Sequence, residues 1–406
     1  MAGRENNMSE KKVLFFLLFI FSILYSLFSP VSAARIERGP YIENMSKETA
    51  NLRFRTDVAT VSWLTYGDYP DCDRFATVSR ITGEHSVNLN GLLADTSHCY
   101  RIYLPVDGST NSYKAEESYF KTFKDDKSVE FSFLAFGPSG MPEEDEKIAG
   151  LMSVAGNADF VLHTGNLAGM GKDEDAETAY FSRYRDMLKK TPFFVALGNY
   201  EYGPDYDKKE SWKFIRENYF PYHSWPRNGS GPYYYYFDTA NARFAVLDAN
   251  LFYGALSAPP LAKDSQQYKW LEIVLKTAAD KTWKFVAVHQ PLYSSAQNGP
   301  APGLKEALAP LLEKYGVDIV FQGHAGVYER TKPLKADLPD EDGVIYVTLG
   351  GGGGRKMEAG EDEDEDWTEA FSSNPHYSFI TVQDKKLEMK VHDSGGEVLD
   401  EIIIQK

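Results

Sequence analysis

The chain has 406 residues, of which 43% are hydrophobic and 25% charged, so it is long enough for two or three domains with a sizeable core. Its formal net charge of -16 argues against nucleic acid as a partner, because phosphate binding needs clustered Lys and Arg. The 26 Tyr and 25 Phe residues suit strand-rich packing better than a helical bundle.

The N-terminal segment has the pattern of an export signal. Lys11 and Lys12 precede an apolar run, Val13–Ser29, and a small-residue stretch follows that ends at Ala33. This order is typical of a secretory signal peptide, so we predict that residues 1–33 are a signal peptide and that the protein is secreted or periplasmic. The alternative is an uncleaved membrane anchor, because the run is slightly long for a signal. No later stretch is apolar enough to cross a membrane.

The chain contains two cysteines, Cys72 and Cys99, and both lie in its N-terminal part. Export to an oxidising compartment would favour their pairing, so we predict a disulfide. The alternative is two buried free thiols.

Residues 34–122 are predicted to be all-β. Short runs such as Thr60–Leu64 and His98–Tyr103 alternate apolar and polar residues, and turn clusters such as Tyr66–Pro70 separate them. This pattern predicts a small β-sandwich of the fibronectin or immunoglobulin type. The polar stretch Lys124–Lys127 follows as a linker.

Residues 128–406 show a different rhythm, in which apolar strands alternate with helical stretches. This order predicts a layered α/β domain, closed by a C-terminal hairpin. The predicted strands are Val129–Phe136, Asp159–His163, Pro192–Leu197, Arg243–Leu247, Lys284–His289, Val317–Phe321 and Val344–Leu349, and the hairpin comprises His376–Val382 and Lys386–His392. The predicted helices are Glu143–Val154, Thr178–Lys189, Asp264–Thr277 and Gly303–Tyr315.

Two stretches of this domain have a biased composition. Gly350–Gly354 is an unbroken glycine run directly after a strand, and Glu361–Asp366 is an unbroken acidic run. We expect the glycine run to form a tight surface turn, with a phosphate cradle as the alternative. We expect the acidic run to be a solvated loop.

Polar residues gather at the C-terminal ends of the predicted strands, where α/β sheets place their ligand sites. Five such clusters in one domain are far more specific than any single one. They are Gly137–Gly140, Gly165–Gly169, Gly198–Glu201, Val286–His289 and Gly323–Gly326.

These clusters resemble, in order, the motifs of the purple acid phosphatase-type metallophosphoesterases, which have the calcineurin-like phosphoesterase fold. That family's motifs are D-x-G, G-D-x-x-Y, G-N-H-[E/D], V-x-x-H and G-H-x-H. The flanking stretches Leu162–Gly165, Tyr293–Ser295 and Val327–Arg330 agree with the family, as do Arg38–Tyr41 and Leu92–Tyr100 of the N-terminal region. The resemblance implies an α/β/β/α layered domain after the β-sandwich.

Several family positions are changed in this chain. Pro138 replaces the first-motif aspartate, Asn166 the bridging aspartate and Gly169 the tyrosine. Tyr200 occupies the position of the general-acid histidine, and Gly326 that of the last histidine. The resemblance therefore implies that one metal site is lost completely.

The second metal site keeps most of its residues. The matching positions are Asn166, Asn199, His289 and His324, so only the carboxylate has been neutralised. Two cations about 3.5–4 Å apart repel each other and need anionic ligands, which these positions do not supply. We therefore predict at most one weakly bound divalent cation, which would be zinc, iron or manganese. The alternative role of the two histidines is purely structural.

Catalysis should suffer more than binding. Loss of one metal removes the clamp on the transition state, and a tyrosine at position 200 is a weaker proton donor near neutral pH than the histidine of the family. No residue is assigned to catalysis. We expect a pseudophosphatase whose cleft accepts a phosphate ester or another anion.

Two alternatives of other classes remain. One is a working hydrolase with a rebuilt metal site, for which Ser139 and Glu201 are the nearest replacement ligands in the sequence. The other is an extracellular binding or structural protein.

Overall fold

The computed structural model describes residues 33–106, 111–168, 173–203, 233–354, 358, 360 and 366–406. Residues 1–32 of the predicted signal segment, position Gly169 and residues 361–365 of the acidic run lie outside the described residues.

The N-terminal region is a single hydrogen-bonded sheet of five antiparallel strands. Their bounds are β1 Ile36–Glu43, β2 Thr49–Asp68, β3 Arg74–Asn90, β4 Ser97–Pro105 and β5 Ser112–Lys121. The first half of β2 pairs with β1 and its second half with β4, while β3 pairs with both halves. Register irregularities between Arg55 and Ser62 separate the two halves of β2, so the sheet bends there. The long strands β2 and β3 therefore run through both parts of the sheet.

A disulfide between Cys72 and Cys99 joins the turn after β2 to β4, with 5.6 Å between the two Cα atoms. Both residues are buried. The bridge therefore fixes one end of the N-terminal sheet.

The rest of the described chain contains two stacked sheets. One has the strand order β20-β19-β18-β6-β7-β8 and the other the order β17-β13-β16-β12-β11-β10-β9. Strands β6 to β8 are parallel, as are β10, β11, β12 and β16. The bounds are β6 Glu130–Phe136, β7 Phe160–His163, β8 Phe193–Val195, β9 Tyr235–Thr239, β10 Ala242–Val246, β11 Trp283–Ala287, β12 Ile319–Gln322, β13 Tyr328–Thr331, β16 Ile345–Leu349, β17 Thr368–Ser372, β18 His376–Gln383, β19 Lys386–Asp393 and β20 Val398–Gln405, with the short pair β14 Leu334–Lys335 and β15 Leu338–Pro339.

Helices connect the parallel strands and cover the outer faces of both sheets. They are α1 Pro142–Val154, α2 Asp173–Ala176, α3 Arg185–Leu188, α4 Gln266–Lys276 and α5 Leu304–Lys314, with a π-helical turn at Glu177–Ser182 and 3-10 turns at Tyr200–Tyr202 and Asn250–Tyr253. The buried residues of α1 and α3 pack on the six-stranded sheet, and those of α4 and α5 on the seven-stranded sheet. The predicted fold class, a fibronectin- or immunoglobulin-like β-sandwich followed by a layered α/β domain, is confirmed as a sheet-rich N-terminal region followed by a layered α/β domain. In the part of the chain that the structure describes, no helix has the length and apolar character needed to span a bilayer.

Phenylalanine rings fill the space between the two sheets. Phe194 and Phe237 stack with ring centroids 3.8 Å apart, and Phe133 meets Phe244 edge to face at 5.3 Å. Phe123, which lies just before the linker, reaches the same layer and contacts the Phe160 and Phe194 rings. Such pairs add about 0.5–1.5 kcal/mol each beyond the burial of their surface. Phenylalanine residues from several strands therefore form the layer between the two sheets.

Two predicted elements differ from the structure. The helix expected at Thr178–Lys189 is a π-helical turn followed by a separate short helix, Arg185–Leu188. The C-terminal hairpin does not close the domain, because β20 follows it and pairs with β19. Half-buried Leu399, Ile402 and Ile404 pack β20 on the core, which explains why that strand belongs to the sheet.

The glycine run Gly350–Gly354 is buried, so the expectation of a surface turn was wrong. A Cβ atom on Gly350 would lie 1.2 Å from the Ala325 carbonyl oxygen, and one on Gly352 would lie 2.3 Å from that of Gly137. The run has no side chains because other backbone segments cross directly over it. It holds the loop after β6 against the loop after β12.

Removal of the disulfide should lower the stability of the protein. Replacing Cys72 and Cys99 with serine releases a loop of sequence separation 27, for which loop-closure entropy predicts a loss of about 3–4 kcal/mol in the free energy of unfolding. Urea unfolding of the double variant and the wild type, both without reductant, measures the difference. Equal transition midpoints would show that the bridge is not formed or adds nothing.

Candidate functional site

The four residues predicted to form the remnant metal site lie together. Asn166 and Asn199 follow β7 and β8 of the six-stranded sheet, while His289 and His324 follow β11 and β12 of the seven-stranded sheet. The C-terminal ends of parallel strands from both sheets therefore meet at one place, as ligand sites in α/β sheets do. Asn166, Asn199 and His289 are buried, and His324 is partly exposed.

The His289 side chain has a fixed tautomer. Its Nδ1 lies 2.6 Å from the Thr164 carbonyl oxygen, and because a carbonyl can only accept, Nδ1 carries the proton and donates it. Burial holds the pKa of His289 well below its ordinary value, so the ring is neutral. The other ring nitrogen, Nε2, therefore presents a lone pair to the site.

Two neighbours face that lone pair. Asn199 Oδ1 lies 3.1 Å from His289 Nε2, and His324 Nδ1 lies 3.3 Å from it. Two ligand atoms that each lie about 2.0–2.1 Å from one tetrahedral zinc ion are about 3.3 Å apart from each other. Both separations therefore match a shared ion. An oxygen and a nitrogen lone pair cannot bond each other directly. They require a cation, a proton or a rotated Asn199 amide between them.

Asn166 does not behave as a metal ligand. Its Oδ1 accepts a hydrogen bond from the Tyr200 backbone N–H at 2.9 Å, while its Nδ2 points to Asn199 Oδ1 at 3.4 Å. At the position where the family has a bridging carboxylate, this chain therefore presents an amide donor. A donor repels a cation and favours an anionic or neutral group.

Glu201 is fully engaged by backbone groups. Its Oε1 accepts from the Leu167 N–H at 2.8 Å, and its Oε2 accepts from the N–H groups of Asn166 at 2.8 Å and Gly198 at 2.6 Å. Burial raises the pKa of this carboxyl, and the backbone donors oppose the shift. Because its oxygens are turned to the two loops, Glu201 joins the second and third motifs and does not replace a lost ligand.

The glycines of these motifs permit the backbones to approach closely. A Cβ atom on Gly165, whose φ is +95°, would lie 2.5 Å from the Ala196 carbonyl oxygen and 2.7 Å from His289 Nδ1. A Cβ on Gly198 would lie 2.2 Å from Asn166 Oδ1. Both positions need glycine for the loops to bring their side chains together.

A buried polar network under the site was missed by the sequence analysis. Asp248 Oδ1 accepts from the Asn250 N–H and Nδ2, and the Tyr202 hydroxyl donates to its other oxygen. Asn250 Nδ2 also donates to the Leu197 carbonyl, and Gln290 Nε2 donates to Asn250 Oδ1. The network therefore links the third and fourth motifs. Asp248 directly follows the predicted strand Arg243–Leu247, so the strand-end rule could have found it.

Of the positions at which the family has further metal ligands, the structure describes Pro138 and Gly326, and both lie near the same strand ends. Pro138 is buried below Gly354, and Gly326 is buried in the loop after β12. Gly169 falls outside the described residues. Ser139 is buried and its backbone N–H donates to the Asn166 carbonyl, so it belongs to the loop packing.

The donor set fits one cation poorly and two cations not at all. His289 Nε2, His324 Nδ1 and Asn199 Oδ1 are neutral ligand atoms with suitable spacing for one metal ion. Asn166 instead presents a hydrogen-bond donor, its NH₂ group. Within the described ranges, no group of three or more His, Cys, Asp or Glu side chains is placed to hold a metal ion. Because these residues include no carboxylate, they do not offset the repulsion between two multivalent cations.

The loop after β6 is held by a buried carboxylate, Asp145 of α1. Its oxygens accept from the Gly140 N–H at 3.1 Å and from Arg183 at 3.2 Å. Burial raises the pKa of Asp145 to about 7, although Arg183 opposes the shift. The carboxyl therefore titrates near neutrality in the folded protein.

The chain is similar to known phosphoesterases and phosphatases. Residues 142–328 match the family model of the calcineurin-like phosphoesterases. Purple acid phosphatase 15 of Arabidopsis thaliana is 32% identical over 192 residues, which are 46% of this chain and 34% of that protein. Purple acid phosphatase 22 of the same plant is 28% identical over 280 residues, covering 67% of this chain and 59% of the relative. The chain thus spans less than two thirds of these relatives.

One further relative is named for its metals. It is the Fe(3+)-Zn(2+) purple acid phosphatase 12 of Arabidopsis thaliana, 25% identical over 296 residues, which cover 66% of this chain and 59% of the relative. Among solved structures, the purple acid phosphatase PPD1 of yellow lupin (Lupinus luteus) superposes with a TM-score of 0.77 at 17% identity, over 91% of this chain and 75% of that one. That likeness concerns the fold.

Loss of the Glu201 carboxylate should loosen both loops. Glu201→Gln leaves at least one buried backbone N–H facing an amide NH₂ group, so we expect the free energy of unfolding to fall by about 1–3 kcal/mol. Urea unfolding measures the change, and Glu341→Gln, at an exposed position, is the matched control. If both variants were as stable as the wild type, the three backbone bonds would not hold the loops.

Asp145 should make stability depend on pH. Its folded-state pKa of about 7 exceeds the ordinary value of 3.8, so between these values the folded state retains a proton that the unfolded state releases. Its contribution to the free energy of unfolding therefore falls as pH rises from about 4 to about 7, by at most about 1.4 kcal/mol per unit.

Urea unfolding of Asp145→Asn across that pH range should consequently show a shallower fall than the wild type. Glu143→Gln, at an exposed position of the same helical turn, should keep the wild-type slope. Identical slopes for Asp145→Asn and the wild type would contradict the assignment.

Proposed function

This chain is a purple acid phosphatase-like member of the calcineurin-like phosphoesterases, and we propose that it is exported and has impaired catalysis. Its remnant site holds at most one weakly bound divalent cation (zinc, iron or manganese) and accepts a phosphate ester or another anion. Export is supported by the signal-like segment before Ala33 and by the disulfide.

One observation carries the proposal: the position of the bridging carboxylate presents an amide donor. Asn166 Oδ1 is bound to the Tyr200 N–H, and its NH₂ group faces Asn199. Two cations need negative charge between them, and a donor at that point increases their repulsion. The remaining donors, on His289, His324 and Asn199, are all neutral.

The same arrangement favours an anion near the site. The Asn166 NH₂ group is a donor, and His324 is partly exposed beside it with its ring against Tyr253 at a centroid distance of 4.4 Å. Because burial lowers the pKa of His324 to about 4, this ring is neutral near pH 7 and binds an anion by hydrogen bonding without full charge. Affinity for a phosphate ester should therefore be modest.

Chemistry at this site lacks the groups that drive ester hydrolysis. A bound cation would supply Lewis-acid stabilisation of charge on an ester oxygen. The chain's own residues add orientation through His289 and Asn199, and Tyr200 stands where the family has its acid. No described carboxylate near the strand ends is free to replace the missing ligands, because Glu201 and Asp248 are engaged by their own hydrogen bonds.

A working hydrolase is the second candidate. It would need ligands recruited from other parts of the chain, and turnover of a generic phosphomonoester separates it from the proposal. A purely structural or binding protein is the third candidate, and saturable phosphate or vanadate binding without turnover would argue against it.

Restoring the carboxylate should strengthen cation binding. In Asn166→Asp the bridging position regains a negative charge beside His289 and Asn199, so we expect zinc to bind at least about tenfold more tightly than to the wild type. Isothermal titration with zinc measures both constants. Asn157→Asp adds the same charge at an exposed position distant from the strand ends and is the matched control. Equal affinity of Asn166→Asp and the wild type would contradict the proposed role of the lost carboxylate.

A further inference from the structure

The sheet of the N-terminal region has one side that faces solvent and carries aromatic side chains. Along the second half of β2, Leu64 is buried in the hydrophobic core, while its neighbours Trp63 and Thr65 are partly exposed. Successive residues of a strand point to opposite sides of the sheet. Trp63 and Thr65 therefore lie on the outer side.

Strand register places further residues beside Trp63 on that side. Trp63 pairs with Thr77 of β3 and with Tyr103 of β4. Thr65, in the next row, pairs with Phe75 of β3. Paired residues share a side of the sheet, and diagonal neighbours about 7–8 Å apart are within reach of aromatic side chains. Phe75, Trp63 and Tyr103 therefore form a line of aromatic side chains across β3, β2 and β4, which we call the aromatic face.

The aromatic face is accessible to a ligand. Phe75 is 64% exposed, and Trp63 and Tyr103 are both partly exposed. The residues of β3 that point the other way, Ala76 and Val78, pack against the hydrophobic core. The aromatic side chains on the outer side are thus additional to those that the core uses.

Polar groups at the β5 end of the aromatic face are paired with one another. Arg101 Nε donates to Glu117 Oε1 at 2.7 Å, and the other guanidinium nitrogens donate to the carbonyls of Pro70 and Asp71. Lys114 also donates to Glu117. The side chains of Lys114 and Glu117 are 49% and 39% exposed, so they offer donors and an acceptor side by side. Because both cations are already paired with the carboxylate, this end suits an uncharged ligand with hydroxyl groups.

The dimensions of the aromatic face decide which kind of partner fits it. Strands about 4.8 Å apart and rows about 6.6 Å apart give the aromatic line a length of roughly 12 Å. With the polar groups on β5 and the side-chain widths included, the face covers roughly 250 Å². A stable protein interface needs about 800 Å² from each partner. The face is therefore too small for a folded protein to dock on it alone, whereas its length matches two or three linked sugar rings.

Pyranose rings have the chemistry that this face would recognise. Where the hydroxyl groups are equatorial, the C–H bonds form an apolar surface on each side of the ring, and the negative face of an aromatic ring attracts such hydrogens. The hydroxyl groups at the ring edge need donors and acceptors, which Lys114 and Glu117 supply.

We infer that the aromatic face binds a β-1,4-linked hexopyranose chain, whose rings lie in an extended row over Phe75, Trp63 and Tyr103. The site belongs to the N-terminal region and shares no residue with the strand-end motifs, so it is independent of the proposed function.

Cellohexaose and chitohexaose, two soluble β-1,4-linked hexasaccharides, are the probes. Isothermal titration of the whole chain should show saturable binding of at least one of them. Phe75→Ala should bind that probe at least about tenfold more weakly, and Phe75→Tyr should retain the wild-type affinity. Ile273→Ala, which truncates a 62% exposed apolar side chain of α4, is the matched control and should bind like the wild type. Failure of both hexasaccharides to bind, or equal binding by Phe75→Ala and the wild type, would overturn the proposal.

The shape of the saccharide is tested with maltohexaose. Its α-1,4 linkages coil the chain, so fewer of its rings can lie along the aromatic line at once. We expect it to bind at least about tenfold more weakly than the better β-1,4-linked probe. Equal affinity would show that the extended row of rings plays no part, and the proposal would fail.

Sedimentation velocity tests whether a second copy of the chain covers the face instead. We expect the wild type and Phe75→Ala to have the same oligomeric state. A wild-type dimer that dissociates in Phe75→Ala would overturn the proposal. Because Phe75 is 64% exposed, its truncation should leave the urea unfolding midpoint unchanged, which shows that any loss of binding is not a loss of folding.

Discussion

The whole candidate site depends on one buried carboxylate that accepts three backbone hydrogen bonds. Glu201 binds the N–H groups of Asn166, Leu167 and Gly198, which belong to loops after two neighbouring strands. Charge-assisted bonds of this kind are about twice as strong as neutral ones, and breaking one leaves a buried donor unpaired. With the loops joined, Asn166 takes its left-handed backbone conformation (φ 56°) and its side chain faces Asn199.

Among the described residues, the four strand-end positions Asn166, Asn199, His289 and His324 carry neutral side chains that are held by interactions within the chain. The Thr164 carbonyl fixes His289, and Asn250 of the Asp248 network accepts a hydrogen bond from the neighbouring Gln290 and donates one to the Leu197 carbonyl. These interactions are structural and do not require a metal. Hydrogen bonds within the chain thus hold neutral side chains at the four strand ends.

Periodicity and strand-end chemistry allowed most of the architecture to be predicted, because apolar strands that alternate with helices have few ways to pack. The strand-end rule predicted that these polar clusters gather at one place, whereas the family resemblance implied which four residues, Asn166, Asn199, His289 and His324, form one set. What could not be predicted depends on contacts in space. The Tyr200 N–H sets the orientation of the Asn166 amide. Two loops donate the hydrogen bonds that engage Glu201. Backbone segments that cross Gly350–Gly354 bury that run. None of these partners is adjacent in sequence.

We propose that the missing negative charge at position 166 prevents a dinuclear centre and hence ester hydrolysis. The most direct test is metal content by plasma mass spectrometry on the purified mature protein, measured together with turnover of p-nitrophenyl phosphate. We expect one metal ion or none per chain, and no turnover on addition of zinc, iron or manganese. Two metal ions per chain with turnover would contradict it and would require carboxylate ligands from another part of the chain.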